Sequence, residues 1–297
     1  MRAAPGAILL PMVATPSPAD VLAEAERSLH SHGRVVLCQI VRAEGSTPGK
    51  PGWKLLARPD GSAYGNLGGG AFEALVKADA LARLARANRG DSEVKRYYFT
   101  EEAVKGEPTG MVCGGLAEVF LEVMAAPPVL VICGAGPVGQ ALARGGALAG
   151  FELLVVDDRA ELRDPELFPA GARFAAVGRE YEEPFLGALG HRDIHIAVVS
   201  RCWETDAAAL AAVLREDPPG LRYLGLMGSR RKIARVKEEV AARGGDLDRF
   251  RLHAPIGLPI GGDTPGEIAI SILAEIIAER YQAKRVDDSM EAERSNV

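Results

Sequence analysis

The 297-residue chain carries 35 Lys and Arg against 40 Asp and Glu, for a formal net charge of −5, with 47% hydrophobic and 25% charged residues. Such a chain reads as an ordinary globular protein with a prior of about two domains of ~150 residues. The acidic balance argues against a general nucleic-acid binder, which needs a basic surface, and no segment approaches the ~18 apolar residues of a membrane span.

From the N-terminus, Ala7 to Val13 is apolar and follows Arg2, as a short signal peptide would, but Pro5, Gly6 and Pro11 interrupt the run. It reads as a loose leader on a cytoplasmic protein. Residues Ala19 to His32 place Val21, Leu22, Ala25 and Leu29 on one side of a helix, which Gly33 stops. A strand is expected at Arg34 to Ala43. The loop Gly45 to Gly52 then leads to a second strand near Trp53 to Arg58 and a hairpin turn at Asp60-Gly61. A third strand would end in Asn66-Leu67-Gly68-Gly69-Gly70, ahead of a helix over Phe72 to Asn88 and strands at Val94 to Thr100 and Leu116 to Met124. Pro127-Pro128 resists both helix and central strand and marks a linker. A first α/β domain is therefore expected at 15–126 and a second at 127–282, with 283–297 a partly disordered tail.

The second domain is organised around Val129 to Asp158. An apolar strand enters Gly134-Ala135-Gly136-Pro137-Val138-Gly139, a helical stretch follows, and a second apolar strand ends at Asp157 and Asp158. This is a βαβ unit with a dinucleotide fingerprint. Gly134 allows the tight turn, Gly136 the approach of a pyrophosphate and Gly139 close helix packing. Asp157 lies near the ~20-residue spacing of a ribose-gripping acid. Strands at Arg173 to Val177, Ile194 to Ser200 and Leu221 to Met227, alternating with helices near Thr205 to Leu214 and Arg230 to Arg243, extend the pattern to a Rossmann-like, doubly wound parallel sheet.

Several residues outside the fingerprint are candidates for chemistry. Gly228-Ser229 leads into a helix whose first turn holds Arg230, Arg231 and Lys232. Each cation there is unfavourable by ~0.3–1 kcal/mol unless an anion occupies the same helix end. The three either meet a phosphate or carboxylate ligand or an acidic partner, or fan into solvent. Gly68, Gly69 and Gly70 form a junction suited to close backbone approach. Glu73 just beyond them either complements the helix dipole or faces a ligand as an acid/base. Cys113, between Gly110 and Gly114-Gly115, is a candidate reactive thiol. Cys38 and Cys133 read as core, Cys202 as a residue of the ligand-binding sheet edge, and His253 as a satisfied loop histidine. The four cysteines show no metal spacing, as expected of a reduced, cytosolic chain. Thr264-Pro265-Gly266-Glu267 reads as a capping box before an apolar helix face at Ile268, Ala269, Ile272, Leu273, Ile276 and Ile277.

Six segments occur in an order that resembles one family: Arg42 to Leu56, Gly65 to Glu73, Cys113 to Gly115, Ile132 to Gln140, Tyr223 to Lys232 and His253 to Ile276. From about Arg34 to Arg280 the chain looks like the XdhC/CoxI family of xanthine dehydrogenase accessory factors. The resemblance implies an N-terminal α/β module plus a Rossmann domain, often dimeric. It also implies a molybdenum-cofactor-binding factor that assists sulfuration with a cysteine desulfurase and delivers the cofactor to an apo-molybdenum hydroxylase of the xanthine dehydrogenase type. The cofactor would be molybdopterin or its dinucleotide, with Gly68 to Gly70, Cys113, Gly134 to Gly139 and Gly228 to Arg231 as contacts. Two departures stand out: Pro48-Gly49 replaces a Pro-Arg pair of many members, and Ser200-Arg201-Cys202-Trp203 lacks a histidine that some members carry. The alternatives are an NAD(P)-dependent oxidoreductase using the Rossmann turn, for which no His-Asp or Tyr-x-x-x-Lys proton donor is evident, and a nucleotide-responsive interaction module.

Overall fold

The computed structural model describes residues 16–86, 91–99, 107–108 and 114–294. Two compact units divide the chain, the second beginning at Ala125 and also taking in His30–Gly33.

The first unit contains α1 (Pro18–His32), β1 (Arg34–Glu44), β2 (Lys54–Ala57), β3 (Ala63–Gly65), α2 (Gly70–Arg86), β4 (Ser92–Tyr98), β5 (Glu107–Pro108) and β6 (Leu116–Ala125). Its sheet has the order β3-β2-β1-β6-β4-β5, with the β2–β3 hairpin antiparallel as the Asp60-Gly61 turn predicts. Period-two alternation distributes the apolar side chains. Val35, Leu37 and Leu56 pack against Val21 and Ala25 of α1, while Val36, Cys38, Ile40 and Leu55 share a core with Phe72, Val76 and Ala80 of α2.

The second unit runs β7 (Val129–Cys133), α3 (Pro137–Leu148), β8 (Glu152–Asp157), β9 (Arg173–Ala176), β10 (Ile194–Val198), α4 (Trp203–Glu216), β11 (Leu221–Leu226), α5 (Arg230–Ala242), β12 (Leu252–His253) and α6 (Pro265–Arg294). Its strands are all parallel in the order β12-β11-β10-β7-β8-β9. This is the doubly wound dinucleotide-fold order, with the switch point between β7 and β10. Every residue of β7 and β10 is buried, as central parallel strands require. One face packs on α4 and α5 through Val131, Cys133, Ile196 and Val198; the other packs on α3 and α6 through Leu130, Ile132, Ala197 and Val199.

Two elements depart from the sequence reading. β12 is too short to show any periodicity, yet it completes the sixth strand. The helix begun by the Thr264 capping box continues to Arg294, through the segment expected to be a tail. The leader at 1–15 lies outside the described residues, and among those described no helix is long and apolar enough to cross a membrane.

Candidate functional site

The carboxyl ends of β7, β8, β10 and β11 share one edge of the parallel sheet, which brings most of the sequence-predicted residues together. At the centre, Gly134 (φ +122°) donates its amide to Val156 O at 2.8 Å, and a Cβ there would lie 2.8 Å from the Val199 backbone. A Cβ on Gly139 would fall 1.9 Å from Gly134 O, so helix and turn touch through backbone alone. Gly136 differs: nothing lies within 4 Å of a Cβ built there. It is the N-cap of α3, it provides no side-chain cap, and Pro137 follows. The first turn of α3 thus presents uncapped N–H groups beside an open cradle, the arrangement that receives anions.

The end of β8 is more heavily bonded than the sequence suggests. Asp157, only 3% exposed, accepts the Ala135 amide on Oδ2 at 2.7 Å and the Arg159 amide on Oδ1 at 2.9 Å. The Arg159 guanidinium adds two bonds, Nε to Oδ1 and Nη2 to Oδ2, each at 3.0 Å. Burial pushes this carboxyl up, but the Arg159 side chain and the two amides outweigh it and hold Asp157 below the usual carboxylate value. Asp158 receives both terminal nitrogens of Arg201 at 2.9 and 2.8 Å, and Arg163 donates to the Asp157 carbonyl at 2.5 Å.

At the end of β11, Ser229 caps α5 as expected, its Oγ accepting the Lys232 amide at 3.3 Å. The three cations behave differently from one another. Lys232 turns under the helix end to place Nζ 2.5 Å from Oδ2 of Asp206, which is fully buried. Ser200 Oγ donates to the other oxygen of Asp206 at 2.5 Å. Burial raises the Asp206 carboxyl, with Lys232 and Ser200 opposing. The expectation that all three cations meet a ligand or solvent is therefore corrected for Lys232, whose counter-ion is internal. Arg230 and Arg231 are exposed and have no partner among the described residues. Gly228 leads into the same helix end.

In the first unit, a second group of loops converges. Gly68, Gly69 and Gly70 all adopt positive φ, at +116°, +73° and +65°. Glu73 reaches back so that Oε2 accepts the Leu67 amide at 3.0 Å and the Gly69 amide at 3.3 Å. Its carboxylate thus anchors the loop. Gly49 abuts Leu67 O, and Gly68 abuts the Pro48 backbone, where Cβ atoms would approach to 2.2 and 2.5 Å. Gly115 sits equally close to Ser46 O, at 2.3 Å for a Cβ. The Gly45–Gly52 loop therefore joins the glycine junction to the segment after Cys113, while Cys113 itself lies outside the described residues. Gly49 has no room for the arginine of the Pro-Arg variant in this conformation.

The remaining thiols follow expectation, and His253 is satisfied as expected but lies on β12 and not in a loop. Burial pushes the Cys38 thiol up to about 12 and raises Cys133 as well, which leaves both inert. Cys202 is at the sheet edge, as N-cap of α4 with Sγ 3.1 Å from Thr205 Oγ1. His253 stacks on Tyr223 at 4.5 Å and faces Glu275 at 3.2 Å. Sequence reasoning misses Arg159, Arg201 and Asp206. Arg159 is available to it as the neighbour of two strand-end acids, but no spacing links Arg201 to Asp158 or Lys232 to Asp206.

A model of the XdhC Rossmann domain matches residues 130–276, and a model of the XdhC and CoxI family matches residues 28–97. The chain is similar to the uncharacterized protein YqeB of Escherichia coli K12, at 34% identity over 268 residues, covering 89% of this chain and 47% of that protein. It is 29% identical over 163 residues to a probable xanthine dehydrogenase subunit from Bacillus subtilis 168, covering 54% of this chain and 46% of that one. The chain thus spans about half the length of these curated relatives. A crystal structure described as a xanthine dehydrogenase from Bacillus halodurans superposes with a TM-score of 0.43 at 20% identity, covering 89% of this chain and 96% of that chain.

Proposed function

Since the chain belongs to the XdhC and CoxI family, we propose that it is an accessory factor for a xanthine dehydrogenase-type molybdenum hydroxylase, one that binds molybdenum cofactor, shelters it during sulfuration by a cysteine desulfurase, and hands it to the apo-enzyme. The observation that carries this reading is the anion-receptive sheet edge. The uncapped α3 terminus opens onto Gly136, and Arg230 and Arg231, at the next-but-one strand end, have no partner among the described residues.

The residues fit the anionic part of such a cofactor. Molybdopterin carries a phosphate, or a dinucleotide diphosphate, which the α3 amides and Arg230 and Arg231 would hold through charge-assisted hydrogen bonds. The bound group would supply a soft metal and its redox chemistry. Those residues would bind and orient the group. In the first unit, Gly69 and Gly70 face open space. An NAD(P)-dependent oxidoreductase shares the glycine turn but also needs a proton donor at the nicotinamide, and the sequence offers no His-Asp or Tyr-x-x-x-Lys pair for that role.

Anaerobic purification from a molybdopterin-competent host tests the reading. A molybdopterin species should co-purify, and the loaded chain should bind an apo-hydroxylase. Absence of both from folded protein would overturn the proposal.

A further inference from the structure

The acid that closes the second strand of a dinucleotide fold normally accepts from a ribose diol. Here it has no acceptor site left. A carboxylate offers about four lone-pair sites, and Asp157 fills them with the Ala135 amide, the Arg159 amide, Arg159 Nε and Arg159 Nη2. A diol at this position would find no free lone pair on Asp157.

What the edge holds in surplus is donors. A guanidinium carries five N–H groups. Arg159 uses two on the Asp157 side chain, which leaves three. Arg201 uses two on Asp158, which also leaves three, and its side chain is 38% exposed. β8 and β10 both pair with β7, and Arg201, which follows β10, reaches across to Asp158 at the end of β8, next to the Asp157 that holds Arg159. They are close enough for the charge of Arg201 to act against that of Arg159. Each is fixed by its own carboxylate, so a ligand would meet donors already oriented. Arg163, at the Asp157 carbonyl, adds a third cation to the same strand end. Three cations and two carboxylates thus meet at this strand end.

We propose that Arg159 and Arg201 form a subsite for a phosphomonoester dianion, so that the ligand of this edge carries a phosphate where a common dinucleotide carries a ribose diol. A dianion with three acceptor oxygens matches two forked guanidiniums with donors to spare. Two ligands offer that group: a dinucleotide bearing a 2′-phosphate, and molybdopterin through its terminal phosphate. The inference rests on the reading of this edge as the ligand site, and is separate from the delivery role.

The test is anaerobic titration of the full chain with NADPH, NADH and molybdenum-loaded molybdopterin, repeated on Arg201→Gln and Arg159→Lys, with melting temperatures to verify folding. Arg201→Gln removes an exposed charge. Arg159→Lys keeps a cation beside Asp157 but loses the fork, and reads the subsite should the first variant not fold. If the dinucleotide is the source, NADPH binds ~10- to 100-fold tighter than NADH, the worth of one or two charge-assisted hydrogen bonds, and either variant erases the difference. If molybdopterin is the source, the dinucleotides bind alike, while either variant weakens molybdopterin by ~10-fold or more and inorganic phosphate competes. Dinucleotides bound alike, together with molybdopterin binding indifferent to both variants, overturns the subsite and leaves the delivery role standing. Failure of wild type to bind any of the three overturns both.

Discussion

Lys232, in the first turn of α5, places Nζ 2.5 Å from Oδ2 of Asp206, a carboxylate without solvent exposure at the start of α4. The pair ties the helices that follow β10 and β11 and explains why α5 tolerates a third cation where its dipole disfavours one. Breaking a buried pair from one side strands the other charge, which typically costs ~3–5 kcal/mol. Lys232→Met should therefore lower unfolding free energy in urea by that order, and Lys232→Met with Asp206→Leu should recover much of it. A loss below ~1 kcal/mol for the single variant would mean that water reaches the carboxylate.

Arg230 and Arg231 should respond in the opposite way. They sit at the positive end of α5 with no partner among the described residues. Replacing both with Gln removes an unfavourable dipole interaction of ~0.3–1 kcal/mol per charge, so thermal stability should hold or rise slightly. Affinity for a phosphate-bearing ligand should fall in the same protein. Two cations kept at a cost to stability make sense only if something else uses them, and unchanged affinity would remove that argument.

The glycines of the turn divide by function. Gly139→Ala drives a Cβ to 1.9 Å from Gly134 O and should destabilise by ~1–3 kcal/mol through forced backbone shifts. Gly136→Ala meets open space, so its melting temperature should stay close to wild type while ligand binding weakens. Calorimetry paired with ligand titration separates the two. Equal stability losses would show that the turn is built only for packing.

Glu73 provides a test in the first unit. Its Oε2 accepts from both Leu67 and Gly69, so Glu73→Gln retains one acceptor oxygen and should loosen the Gly68–Gly70 loop modestly, by ~1 kcal/mol. Amide hydrogen exchange at Leu67 and Gly69 should quicken. A variant with unchanged exchange but lost activity would instead assign the carboxylate to chemistry.

The fold is readable in the sequence because its signals are local. Buried strands such as Val129–Cys133 announce themselves as apolar runs, and Gly134, Gly136 and Gly139 fix the turn that joins strand to helix. The site is only half readable, for a physical reason. A residue type indicates which bonds a side chain can make, and three-dimensional neighbours decide which it does make. Asp157 stands at the strand end as its spacing predicts, but the adjacent Arg159 and the Ala135 amide fill its lone pairs. Lys232 reads as a third ligand-seeking cation because Asp206, 26 positions earlier, is brought beside it only by the parallel sheet. Arg201 and Asp158 are separated by 43 residues and meet because β8 and β10 flank the same strand.

His195 lies in the middle of the sheet, 1% exposed on β10 and edge-on to Phe151 at 5.4 Å. Burial, reinforced by the charge of Arg280, lowers its pKa from 6.5 to about 4. A histidine depressed in the folded state adds stability that is fully present above the unfolded value and is lost as pH falls through the folded one. The loss therefore develops between pH 6.5 and about 4. A shift of that size corresponds to about 3 kcal/mol at ~1.4 kcal/mol per unit. His195→Phe keeps an aromatic ring against Phe151 and removes the titration. Urea midpoints measured at pH 7 and pH 4 should show a smaller acid-side decline for the variant than for wild type. Equal declines would mean that the imidazole accepts its proton without leaving the core, and that the carboxylates held below their usual values, such as Asp157 and Glu275, set the acid limit of the fold.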